Sequence, residues 1–224
     1  MTDDMIQPRA LRPVQFAARC AMATLLLAGA AWLVRAVWEI RLAMAGEPAS
    51  GPLDQGDGVH RLPTSLEDSY HVVTNANGAA VLLCALAFIV WLDRVRDNAL
   101  ALSGQPAKYL GIWVWLSWIM PVVNLWFPRG LVADVHRRSA PDRRLPAVVN
   151  VWWALWLIGL LSSVGLLTEK STDEMIELAY TNVWQLMVAD AAMVGAAVAA
   201  VFMVRAVTTD GAVATGGAAA TGGM

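Results

Sequence analysis

The chain has 224 residues, of which 58% are apolar and only 15% charged, and its formal net charge is -2. Soluble domains carry about a quarter charged residues; here the charges are sparse and clustered between long apolar windows, which sets aside a soluble domain and indicates a membrane protein. The near-neutral balance suggests no nucleic-acid partner, and fourteen Arg against two Lys, with abundant Ala and Gly, fits a GC-rich bacterial genome.

Residues 1–15 form a polar leader, expected on the cytoplasmic side. The first apolar segment covers 16–34 and is closed by Arg35. Arg35, Trp38, Glu39 and Arg41 separate it from the small residues Ala43 and Ala45. A cleaved signal peptide needs such residues close behind its apolar region, so an uncleaved transmembrane helix is expected. The two cysteines, Cys20 and Cys84, fall in apolar segments without a CxxC spacing and read as small core residues.

Residues 39–74 read as an outside loop. They hold Glu39, Glu47, Asp54, Asp57, Glu67 and Asp68 against Arg41 and Arg61. Pro48, Gly51, Pro52, Gly56 and Gly58 predict irregular backbone in the first half. Thr64 and Glu67 have the spacing of a capping box, so a helix is expected to start there and run into the second apolar segment, 75–92. Its pattern continues through Asp93, Arg94, Arg96 and Asp97 as a solvated charged extension until Gly104 and Pro106.

The stretch 110–128, LGIWVWLSWIMPVVNLWFP, is long and apolar enough to cross a bilayer. Pro121 removes a helical hydrogen bond and clashes with the preceding turn. Asn124 can satisfy backbone groups so freed, and Pro128 disfavours helix at Phe127. Arg129, Arg137, Arg138, Arg143 and Arg144 follow, with Leu131, Val132 and Val135 on one face, as in an amphipathic helix at the membrane surface. The next apolar segments are 147–167 and 183–204, separated by an acidic loop. Residues 208–224 form an Ala/Gly tail whose composition predicts disorder.

Lys and Arg collect in cytoplasmic loops. If 110–128 crossed, the arginine-rich loop 129–146 would lie outside and the acidic loop inside. If it enters and leaves on one side, every loop obeys the rule, with both termini cytoplasmic. The expected fold is therefore an all-α membrane bundle of four spanning helices plus a fifth, Pro-broken segment, re-entrant or kinked, in one domain over 16–207 of a multi-pass cell-membrane protein.

Asp190 lies inside the last apolar segment. A mid-helix Asp costs ~2.5–3.5 kcal/mol on insertion scales, so it should face the bundle. Arg35 ends the first segment on the same side, and an Arg35–Asp190 pair is the structural expectation; a proton or cation site is the functional one. Gly159 with Ser163, and Ala191, Gly195 and Ala199, carry the four-residue spacing that lets helices approach closely. Patterns for catalysis, metal or cofactor binding are absent from the sequence.

The runs FIVWLDRVRDNA, WIMPVVNLWFP, LVADVHRRS and WWALW resemble bacterial polytopic membrane proteins of domain-of-unknown-function family 4328 (DUF4328). Trp118, Pro121, Asn124, Leu125, Trp126 and Pro128 match the W-x-x-P-x-x-N-L-W-x-P core, and Trp91, Arg94 and Arg96 match the preceding helix end. The resemblance implies the membrane architecture and no catalytic residue or cofactor. Two functions are compatible with all of this. One is a non-enzymatic membrane module binding a protein partner or anionic lipid, the latter at Arg129–Arg144. The other is a small transporter or channel with the Pro121–Asn124 break lining a polar site.

Overall fold

A computed structural model describes residues 11–56, 59–106, 108–120, 123–163 and 171–221. These residues form helices α1 (Gln15–Ala45), α2 (Ser65–Ser103), α3 (Trp113–Ile119), α4 (Phe127–Ser139), α5 (Ala147–Ser163) and α6 (Thr172–Thr221), with a 3-10 turn at Val123–Leu125. The described residues contain no strand, only an isolated bridge between Asp54 and His60.

Three helices are long and apolar enough to cross a membrane: Gln15–Ala45, Ser65–Ser103 and Thr172–Val213. The expected span over 147–167 appears as α5, whose 17 residues sit at the lower limit of about 17–25 for a crossing helix. Residues 164–167 of that expectation lie outside the described ones.

Helix α1 continues past the predicted boundary. Residues 39–45, read above as loop, are helical because no breaker precedes Gly46, which closes the helix at φ 71° with its N–H on the Leu42 carbonyl at 3.0 Å. Helix α2 starts where its cap residues require. The Glu67 N–H donates to Thr64 Oγ1 at 3.3 Å, and the Thr64 N–H donates to Glu67 Oε2 at 2.7 Å.

Helix α6 lies along α1 on one side and α5 on the other, while α1 also packs on α2. Glycines allow the close approaches. A Cβ at Gly29 would sit 3.3 Å from Ala197 Cβ, and one at Gly195 would sit 3.0 Å from Leu155 Cδ1. Helix α6 bends at Asn182, whose φ of -151° and ψ of 65° leave the helical region.

The stretch 110–128 does not run as one helix. Helix α3 ends at Ile119, and Met120 is extended, at φ -86° and ψ 111°, as a residue preceding proline must be. Pro121 itself lies outside the described residues. Phe127 differs from expectation. It begins α4 with Pro128 next to it, because proline is compatible with the first turn of a helix, where its missing N–H has no partner to lose. The two ends of the stretch meet. The Tyr109 and Phe127 rings have centroids 4.6 Å apart, and those of Trp113 and Phe127 are 5.1 Å apart.

Two further differences concern α4 and the tail. The apolar face of α4, with Leu131, Val132 and Val135, is buried in the main core with residues of α1, α2, α5 and α6 instead of lying on lipid. Helix α6 runs to Thr221 through residues predicted to be disordered. Alanine-rich sequence propagates a helix already nucleated, and Asp210 anchors it through Arg143 at 2.6 Å.

Candidate functional site

Four side chains form a buried ionic cluster between α1, α2 and α6. Arg35, Glu39, Tyr70 and Asp190 are 4, 0, 0 and 1% exposed. Arg35 NH2 donates to Asp190 Oδ1 at 2.5 Å, and Arg35 Nε lies 3.1 Å from Glu39 Oε1. The Tyr70 hydroxyl donates to Glu39 Oε1 at 2.8 Å. The guanidinium also stacks on Trp32, with Cζ 4.2 Å from the ring centroid, an arrangement favoured by the negative face of the indole. The structure thus brings Arg35 and Asp190 together and adds Glu39 and Tyr70, which were not singled out from sequence. Glu39 stands one helical turn after Arg35, and that i,i+4 charge spacing was a readable signal.

A second network lies towards the 46–64 loop. Glu67 accepts from Arg61 NH1 at 2.8 Å and NH2 at 2.6 Å, and from the Tyr180 hydroxyl at 2.9 Å. The hydrogen bonds from Arg61 to the Glu67 carboxylate raise the Arg61 pKa above its ordinary value, since they favour the charged form. Leu42, Leu53, Tyr70, Ile176, Ala179 and Leu186 form an apolar core around this end.

At the other end, the motif residues brace helix ends and connections. Trp91 is buried and its Nε1–H donates to Thr208 Oγ1 at 3.0 Å. Arg94 donates to the Pro13 carbonyl at 3.3 Å, and Arg96 to the Tyr109 carbonyl at 2.7 Å. Pro128 is buried, whereas Trp126 is exposed. Asn124 is buried with Oδ1 unpartnered, and Ser117 Oγ is likewise buried without a partner. Arg138 is drawn inward to Asp134 at 2.8 Å, and Arg129 donates to the exposed Asn150 at 2.6 Å. Arg137, Arg143 and Arg144 keep exposed side chains at this end.

Between the ionic cluster and α3 lies an apolar cavity of about 100 Å³. Trp32, Phe88, Trp118, Trp152 and Trp156 line it together with small residues such as Ala28, Ala85 and Ala197. Trp118 packs against Phe88, with centroids 5.5 Å apart, and against Trp156 at 6.3 Å. The Nε1–H groups of Trp118 and Trp156 are buried and have no acceptor. Leaving a buried donor unpaired costs about 1–3 kcal/mol; the lining itself is almost wholly apolar. Among the described residues no group of three or more His, Cys, Asp or Glu could hold a metal ion.

No curated protein and no solved structure matches the chain. A family model does, over residues 65–209, which takes in α2 through most of α6, with Trp118, Trp152 and Trp156 of the cavity wall and Asp190. The chain belongs to the family described as Domain of unknown function (DUF4328).

Proposed function

We propose that this protein is a non-enzymatic, multi-pass membrane module that takes a lipid-type partner into the cavity between α2, α3 and α5. The observation that carries the reading is the almost wholly apolar wall of Trp118, Trp152 and Trp156, closed by Trp32 and Phe88. Such a wall fits an acyl or isoprenoid chain.

The topology that goes with this reading has four spans, counting α5, and a re-entrant hairpin over 110–128. The meeting of Tyr109 with Phe127 supports it. So does depth: Trp118 reaches Phe88, about 12 Å along α2 from Arg96 at a rise of about 1.5 Å per residue. The arginine-bearing end, with α4, would face the cytoplasm together with both ends of the described chain. Exposed Arg137, Arg143 and Arg144 would there meet anionic lipid, at about 1 kcal/mol per basic residue.

Photo-crosslinking tests the cavity reading. The full chain is reconstituted in vesicles with a phospholipid carrying a diazirine on its acyl chain. Adducts on the peptides holding Trp118 and Trp152–Trp156 are expected, and Ala85→Phe should remove them while surface adducts persist. An adduct pattern unchanged by Ala85→Phe, in a variant that unfolds at the wild-type temperature, rejects the reading.

The unpartnered Asn124 Oδ1 and Ser117 Oγ beside the helix break favour a second reading, a small transporter or channel. Flux in proteoliposomes that Asn124→Ala abolishes would establish it over the passive module.

A further inference from the structure

The ionic cluster has one feature that its hydrogen bonds leave unexplained. Arg35 NH2 donates to Asp190 Oδ1 and the Tyr70 hydroxyl to Glu39 Oε1, while Arg35 Nε, 3.1 Å from Glu39 Oε1, makes no hydrogen bond. Glu39 Oε2 and Asp190 Oδ2 remain, both buried and both without a donor. Both carboxyl groups lie against the same guanidinium, one at Nε and one at NH2. Two ionised carboxylates brought together in this way cannot satisfy each other, because each is an acceptor only.

Charge counting leads to the same place. One guanidinium faces two carboxyl groups, and Tyr70 is a neutral phenol that donates to one of them. Ionised throughout, the cluster would carry one uncompensated negative charge inside the bundle, where desolvation of a charge is expensive. Arg61, Glu67 and Tyr180 form their own network nearer the loop, and His71 pairs with Asp173 at 3.1 Å on partly exposed side chains. No other described residue brings a charge to the cluster through an ion pair or hydrogen bond.

We propose that Glu39 and Asp190 share one exchangeable proton, carried on Glu39, and that the cluster is a protonation site joining α1 to α6. The assignment to Glu39 follows from the contacts. Asp190 accepts a hydrogen bond from the guanidinium, whereas Arg35 Nε lies near Glu39 Oε1 without making one, so Asp190 is the better stabilised anion. A protonated Glu39 still accepts from Tyr70 through Oε1 and donates through the oxygen that otherwise has no partner. One proton therefore removes the surplus charge and turns an unpaired acceptor into a donor. Its departure would set two carboxylates against each other across the α1–α6 seam, so the packing of these two helices becomes sensitive to proton activity. A metal ion is a poorer occupant, since the guanidinium already contacts both carboxyl groups and no group of three or more His, Cys, Asp or Glu among the described residues could hold one.

The test uses the full chain in detergent micelles. The infrared carbonyl stretch of a protonated carboxylic acid is expected in the wild type at neutral pH and is expected to vanish in Glu39→Gln. A wild type without that band, or a Glu39→Gln variant that keeps it, overturns the proposal. Linkage supplies a second measurement. A folded chain holding one proton more than the unfolded chain loses stability as pH rises. The unfolding midpoint of the wild type should therefore fall on going from mildly acidic to alkaline buffer, and the slope should be shallower in Glu39→Gln. Equal slopes count against the proposal. The amide of Glu39→Gln mimics the protonated acid in shape and donor, so failure of this variant to fold also counts against it. A midpoint raised by sodium chloride over choline chloride at equal ionic strength would replace the proton with a metal ion.

Discussion

The ring of Tyr109 packs edge-on against the ring of Phe127, with centroids 4.6 Å apart, although the chain between them is apolar and long enough to cross a bilayer. Arg96 holds the first end by a 2.7 Å bond to the Tyr109 carbonyl. The α4 helix holds the second end, with Leu131 and Val132 in the core. If the bundle lies in the membrane as proposed, Gln105→Cys and Asp142→Cys should react from the same side with an impermeant maleimide, in a background with Cys20 and Cys84 replaced. Ser50→Cys should react from the opposite side. Labelling of Gln105→Cys and Asp142→Cys from opposite sides would show that 110–128 crosses.

Arg35 is the only cation in contact with Glu39 and Asp190 among the described residues. Removing one partner of a buried ion pair typically costs about 3–5 kcal/mol, whereas replacing the whole set by neutral groups costs far less. Arg35→Met should therefore depress the unfolding midpoint strongly, and adding Glu39→Gln and Asp190→Asn to it should restore much of the loss. A triple variant less stable than Arg35→Met alone would show that the residues do not act as one unit.

Glu67 closes the start of α2 and ties it to α6. Its carboxylate receives Arg61, the Thr64 N–H and the Tyr180 hydroxyl. Thr64→Ala removes one cap bond and should cost about 1 kcal/mol. Glu67→Ala also strands the Arg61 guanidinium, and hydrogen bonds to charged groups are worth about 1.5–3 kcal/mol each. Glu67→Ala should thus be the more destabilising of the two in thermal unfolding, and faster hydrogen exchange in the 46–64 loop should accompany it.

Gly29 and Gly195 are placed where helices touch. A side chain at Gly29 meets Ala197 on α6, and one at Gly195 meets Leu155 on α5. Overpacking of this kind typically costs about 1–3 kcal/mol. Gly29→Val and Gly195→Val should each lower the midpoint, while Gly78→Val, where nothing lies within 4 Å, should change it little. Equal effects at all three positions would point to helix propensity instead of close packing.

The sequence alone determined the class of this protein and much of its punctuation. Apolar windows between charge clusters mark helices that lipid can solvate, and Thr64 with Glu67 sets the start of α2 through bonds made within a single turn. Proline after Met120 ends α3 for an equally local reason. The tertiary structure decided everything that depends on which faces meet. The Arg35–Asp190 contact spans 155 positions; the sequence named this pair from the shared side of the two residues, and the tertiary structure added Glu39 and Tyr70 to it. Glu39 was read as part of a loop although it stands four residues after Arg35; helix α1 continues through it and turns it inward. The α4 face was equally apolar whether it lay on lipid or on protein; only packing against Trp91, Leu92 and their neighbours chose between them. The cavity likewise exists because tryptophans from α1, α3 and α5 converge on the space beside Cys84 and Phe88, a convergence that no periodicity within one helix encodes.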